Sequence, residues 1–129
     1  MSDLSNFLEN ELTKYFRNLA ITQPAVVYLA LFTAVTDAEA GTGTEVVGGS
    51  YARVAVTFGA PSNGVVVNSV QVNFPTASAN WGVVTHACLF DASSGGNALS
   101  IIKAMTTSRT INNGDTLQFP IGNVSMTLA

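Results

Sequence analysis

Val26-Val27-Tyr28-Leu29-Ala30-Leu31-Phe32 is the stretch that decides the fold of this chain. Side chains alternate across a strand, so a run that is apolar at every position is apolar on both faces. Such a run reads as a central strand covered on two sides. Immediately upstream stands Gln23-Pro24, where the hydrophobic period changes. Before it, Leu4, Phe7, Leu8, Leu12, Phe16 and Leu19 recur at steps of three and four, the spacing of one helix face. Ser2 or Ser5 is placed to cap that helix. Asp3, Glu9 and Glu11 precede Lys14 and Arg17, an order that suits the helix dipole. The helix is expected to stop near Asn18, ahead of Pro24. It either packs on its own domain or reaches a neighbouring subunit.

Downstream of the central run the period stays at two. Residues 36–50 are polar and carry Gly41-Thr42-Gly43-Thr44 and Gly48-Gly49, so they read as a long flexible loop, a length that often goes with function. Val54, Val56 and Phe58 alternate and are expected to point inward. Pro61-Ser62-Asn63-Gly64 is a turn, because Asn-Gly readily takes positive φ. Val70, Val72 and Phe74 alternate up to Pro75. Residues 81–90 read as another strand, closed by the polar stretch 91–97. Residues 99–104 and 109–111 read as two more, followed by the turn Asn112-Asn113-Gly114-Asp115. Leu117, Phe119 and Ile121, then Val124, Met126 and Leu128, complete the pattern. Seven or eight short strands at this spacing predict a mainly β chain: an antiparallel β-sandwich, jelly-roll or immunoglobulin-like, with an N-terminal amphipathic α-helix. Residues 1–22 are read as helix and linker and residues 23–129 as the sandwich, together one compact domain.

Composition bounds the function. Only 10% of the residues are charged, against about 25% in ordinary soluble domains. The outward strand positions carry Thr, Ser, Asn and Ala where Lys commonly guards sheet edges. A surface of this kind points to protein neighbours. The net charge is -3, and Lys14, Arg17, Arg53, Lys103 and Arg109 do not cluster, which argues against a nucleic-acid partner. The longest apolar stretch, residues 25–32, falls well short of the roughly 20 residues that cross a bilayer, so no membrane role is expected. The acidic N-terminus does not read as a secretory signal. Cytosolic synthesis without a targeting peptide is expected. Cys88 is the single cysteine, so no disulfide forms within the chain.

Catalytic chemistry has little to work with. His86 and Cys88 share a strand face, but residues two apart on a strand lie too far apart for an easy nucleophile–base pair, and no carboxylate is placed to orient the ring. A structural zinc site needs about four Cys or His ligands. Asp37, Glu39 and Glu45 line the polar segment without the alternating acidic spacing of a calcium loop. Gly41-Thr42-Gly43 lacks the Gly-Lys pair of a phosphate loop. Trp81, Tyr28 and Tyr51 could form a sugar-stacking surface or ordinary core. No catalytic residue, metal or cofactor is expected, and the chain is read as a non-enzyme.

Several stretches together resemble a family of small virion proteins of tailed bacteriophages. These are Leu4-Ser5-Asn6-Phe7-Leu8-Glu9-Asn10 and Val27-Tyr28-Leu29-Ala30-Leu31-Phe32-Thr33-Ala34, then Glu45-Val46-Val47-Gly48-Gly49-Ser50-Tyr51-Ala52-Arg53 with Val56-Thr57-Phe58. Trp81-Gly82-Val83-Val84-Thr85-His86 with Leu89-Phe90-Asp91 completes the set. The resemblance spans most of the chain and is weakest over residues 101–129. It implies a virion protein without catalytic residues. Members are commonly labelled tail-fibre proteins, and small β-sandwiches of this size also serve as capsid cement or decoration proteins, frequently as trimers. The leading expectation is a capsid cement protein that self-associates as a homotrimer and contacts the major capsid protein or other virion proteins. A tail or tail-fibre component is the alternative, and a host-surface carbohydrate-binding module the second. Phe7, Leu8, Phe16, Glu45, Tyr51 and Arg53 are the expected subunit or capsid contacts.

Overall fold

The computed structural model describes residues 2–128; Met1 and Ala129, the outer bounds of the two expected segments, lie outside the described residues. One helix, α1 (Asn6–Phe16), precedes nine strands: β1 (Val27–Asp37), β2 (Thr42–Glu45), β3 (Val54–Val56), β4 (Val65–Val67), β5 (Val72–Asn73), β6 (Gly82–Phe90), β7 (Lys103–Ile111), β8 (Gln118–Phe119) and β9 (Ser125–Thr127). The main sheet runs β2-β1-β6-β7, with β3 also on β1; β4 pairs β9 and β5 pairs β8. Every ladder is antiparallel.

The doubly apolar run builds the centre as its pattern requires. On one face of the main sheet Leu29, Leu31, Val56, Val84 and Leu89 pack against Val72, Phe74, Leu117, Val124 and Met126 from the two small ladders and their flanks. On the other face Ala30, Phe32, Cys88 and Phe90 lie under Ala98 and Ile102. The result is a mainly β, sandwich-like arrangement whose large sheet is covered on both sides. Full burial of a side chain such as Leu31 contributes about 1.5–3 kcal/mol.

Local chemistry explains the connections. Ser62 and Val65 exchange both backbone hydrogen bonds across Asn63 (φ 53°) and Gly64 (φ 79°), the expected two-residue hairpin. Ser5 caps α1: its Oγ accepts from the Leu8 amide at 3.1 Å and donates to the Ala98 carbonyl. The helix ends at Phe16, and Asn18 takes φ 57° beyond it, close to the expected stop. Ahead of the helix, Asp3 ties three segments together. Its backbone bonds Thr127 and Ile101, and its carboxylate accepts from the Thr127 amide and the Lys103 ammonium, both at 2.9 Å.

Four strand-level expectations are corrected. Residues 36–50 are not one loop: Asp37 Oδ1 accepts the amides of Glu39 and Ala40, the chain turns at Gly41, and β2 folds back on β1. Gly41 has φ 75°, and a Cβ there would collide with Ala98. Thr and Gly give β2 no apolar alternation, which hid it. In place of the strands expected at 99–104 and 109–111 there is one strand, β7, from Lys103 to Ile111, because Thr106, Thr107 and Ser108 continue the extended chain without apolar markers; residues 99–102 lie outside it. Val70 is exposed, since it sits in a bend before β5. Ile121 and Leu128 are exposed as well, at a turn and beyond the last ladder residue.

Candidate interaction surfaces

β2 and β3 pair with the same edge of β1, one after the other, and the chain between them leaves the sheet. Leu31 lies at that gap. Its carbonyl accepts from Val46 N at 3.0 Å, while its amide donates to the Tyr51 hydroxyl, also at 3.0 Å. The side-chain oxygen thus substitutes for a missing ladder partner. Tyr51 donates onward to Glu45 Oε2 at 2.6 Å, and Arg53 grips the same carboxylate through Nε (2.8 Å) and Nη2 (2.9 Å). Arg53 Nη1 donates to the carbonyls of Ala92 and Gly95, and the guanidinium stands 3.9 Å over the Phe90 ring. Only 7% of the Arg53 side chain is exposed. Burial opposes ionisation of Glu45, but the hydrogen bonds from Arg53 and Tyr51 outweigh it and hold the carboxyl below its ordinary range. Burial raises the Tyr51 phenol well above its usual value, and the Glu45 carboxylate adds to that. The structure therefore gathers three of the six expected contact residues into one network that locks the 91–97 turn to the sheet edge.

The other three lie on α1. Leu4 and Leu8 pack against the main core, and Phe7 and Leu8 line a shallow cleft of about 320 Å³ with Pro24 and Leu99. Glu11 and Leu12 are still partly covered, and only toward its end does the helix leave the body. Phe16 is 82% and Tyr15 71% exposed, and Leu19 is exposed beside them. Glu11 and Lys14 pair at 2.7 Å. The helix is held by its start and presents aromatic and aliphatic groups at its end, which no described residue buries.

A third surface went unnoticed in the sequence. β7 is an outer strand of the main sheet, and residues 104 and 106–110 are exposed. Its pairing with β6 jumps from Val84↔Arg109 to His86↔Ala104, so Thr85 alone faces four residues of β7. A groove of about 750 Å³ runs beside it, floored by Leu29, Leu89, Leu117 and Val124. The one available signal was the uncharged run Thr106-Thr107-Ser108.

The candidate chemistry is accounted for by structure. Cys88 is buried, its Sγ donates to the Ser100 carbonyl at 3.3 Å, and burial pushes its thiol up to about 11. His86 Nδ1 lies 2.8 Å from its neighbour Thr85 Oγ1. Among the described residues no three His, Cys, Asp or Glu side chains are grouped to hold a metal ion, and no helix is long and apolar enough to cross a membrane. Trp81 is 6% exposed, its indole N–H donates to the Gly49 carbonyl at 2.8 Å, and its ring meets Tyr51 edge-on. The exposed tryptophan that sugar stacking requires is therefore part of the core.

A comparison with protein families matches residues 3–127 to the family described as Podophage GP4 fiber I protein gp80. A search of curated proteins finds no match. The family match runs over nearly the whole chain, including the residues that resemble small tailed-phage virion proteins. The chain belongs to the podophage GP4 fiber I protein gp80 family and is a bacteriophage virion protein.

Proposed function

We propose that the chain is a structural, non-catalytic subunit of the phage fibre, held in the particle by contacts that α1 and other copies of the chain make. One observation carries this reading: Tyr15, Phe16 and Leu19 extend from the body into solvent on a chain with only 10% charged residues. Apolar area left in water forgoes about 25 cal/mol per Å², and clustered exposure marks contact sites. The family description, which names a fibre, supports a fibre position over capsid cement. Within this reading the α1 end seats in an apolar recess of a neighbouring virion protein, and the Glu45–Tyr51–Arg53 network keeps the sheet edge rigid under load.

Gold-labelled antibody on intact particles tests the position. Label on the fibres is the expected result, and label over the head restores the cement reading. Phage carrying Phe16→Glu with Leu19→Ser tests the contact. Particles depleted of this protein are expected, while the purified variant keeps the wild-type circular dichroism and melting temperature. Normal incorporation would contradict the role given to α1.

A further inference from the structure

Beside β3, which also pairs with β1, the main sheet has two outer strands of opposite character: β2 at one end of the path β2-β1-β6-β7 and β7 at the other. The acidic side is β2: Asp37 ends β1, Glu39 lies in the turn that leads into β2, and Glu45 ends it. The basic side is β7, with Lys103 at its start and Arg109 near its end. Lys103 is paired with Asp3 and Glu45 with Arg53. Among the described residues Glu39 and Arg109 have no ion-pair partner, and both are exposed.

We infer that β7 of one copy pairs with β2 of the next, so that copies of this chain join head to tail through their sheet edges. The inference rests on the reading of the chain as an assembling subunit but uses a different surface from α1. Strand direction supports it. Each neighbour in the four-strand path is antiparallel, so β2 and β7 run in opposite directions. A second copy in the same orientation then continues the antiparallel alternation across the junction. Antiparallel pairing also brings the start of β2 to the end of β7, which puts Glu39, in the turn three residues before Thr42, at the same end of the junction as Arg109. With Thr42 opposite Arg109, Thr44 falls opposite Thr107.

Charge argues against the symmetric alternative. Two β7 edges joined about a two-fold axis place Arg109 of each copy near Lys103 of the other, whose carboxylate partner is already Asp3, so Arg109 gains no opposite charge there. The β7 edge lacks the charge that commonly guards an outer strand: residues 105–108, which bulge opposite Thr85, carry none. The incoming strand would border the 750 Å³ groove and cover part of its apolar floor. Such a contact uses different patches on the two copies, so it closes as a ring, the expected homotrimer being one case, or continues as a filament.

Sedimentation of the purified full-length chain tests this without any phage. Concentration-dependent association beyond the monomer is expected. Arg109→Glu and Glu39→Arg should each weaken it about tenfold, and combining them in one chain should restore it. A strictly monomeric chain, or single variants that associate like wild type, would overturn the inference. A second readout is covalent. Thr44→Cys and Thr107→Cys chains should form a mixed disulfide under mild oxidation, faster than either variant alone, with Cys88 too buried to compete. Equal rates in the mixture and in the separate variants would overturn it too. Failure here leaves the fibre position untouched, because particle labelling does not depend on this edge.

Discussion

Tyr51 replaces a backbone partner with a phenol oxygen, and the choice has consequences at single-residue scale. Tyr51→Phe keeps the ring against Phe74 and Trp81 but removes the acceptor for Leu31 N and the donor to Glu45. A loss of about 1–3 kcal/mol is expected by chemical denaturation, because a half-buried amide and a carboxylate lose a partner. Glu45 adds a pH dependence. Its folded carboxyl titrates below the ordinary value of 4.5. A depressed value stabilises the fold fully above the unfolded value, and the contribution fades as pH falls through the folded one. Wild type should therefore exceed Glu45→Gln in melting temperature at pH 6, with the gap closing below about pH 4.5. Cys88, with its thiol raised by burial, should resist alkylation at pH 8 until the protein unfolds, and labelling rate against denaturant checks that. Residues 45, 51 and 53 drew attention in the sequence as contacts. Their network was not legible there, because it is completed by Leu31, Phe90, Ala92 and Gly95, which only the fold brings near. Asn68 left no sign either, because the bend at 69–70 breaks the alternation of Val70, Val72 and Phe74. Its buried amide accepts from Gly122 and Val124 and donates to Val70 and Pro120.

Elements were legible in the sequence where local chemistry and apolar period agreed. β1 was readable because every one of its first residues is apolar, and the β4 hairpin because Asn63-Gly64 specifies its turn. Gly64→Ala should cost about 1 kcal/mol, since alanine is strained at φ 79°. The α1 cap was readable too. Ser5→Ala removes both the bond to Leu8 N and the link to Ala98, and about 1–2 kcal/mol of stability should go with it. β2 and the middle of β7 were not readable. They are built of Thr, Ser and Gly, whose small polar side chains show no apolar alternation; β2 is held by a turn and by pairing with β1.

At the scale of the whole molecule, the core accounts for the fold and the surface accounts for assembly. The interior needs both coverings of the main sheet, one from the small ladders and one from residues 98–102. Little charge remains outside, so solubility as a lone subunit depends on the groups that also mark its contacts. A charge-poor exterior, an apolar helix end and sheet edges of opposite charge are the features on which the proposed assembly rests. Composition led to the expectation of protein neighbours, and the family match identifies a phage virion protein. A density map of the intact phage tests the central claim most directly. This fold is expected within the fibre, with Tyr15, Phe16 and Leu19 covered by an adjoining protein. Finding it on the head shell, or in the fibre with that helix end bare to solvent, would contradict the account.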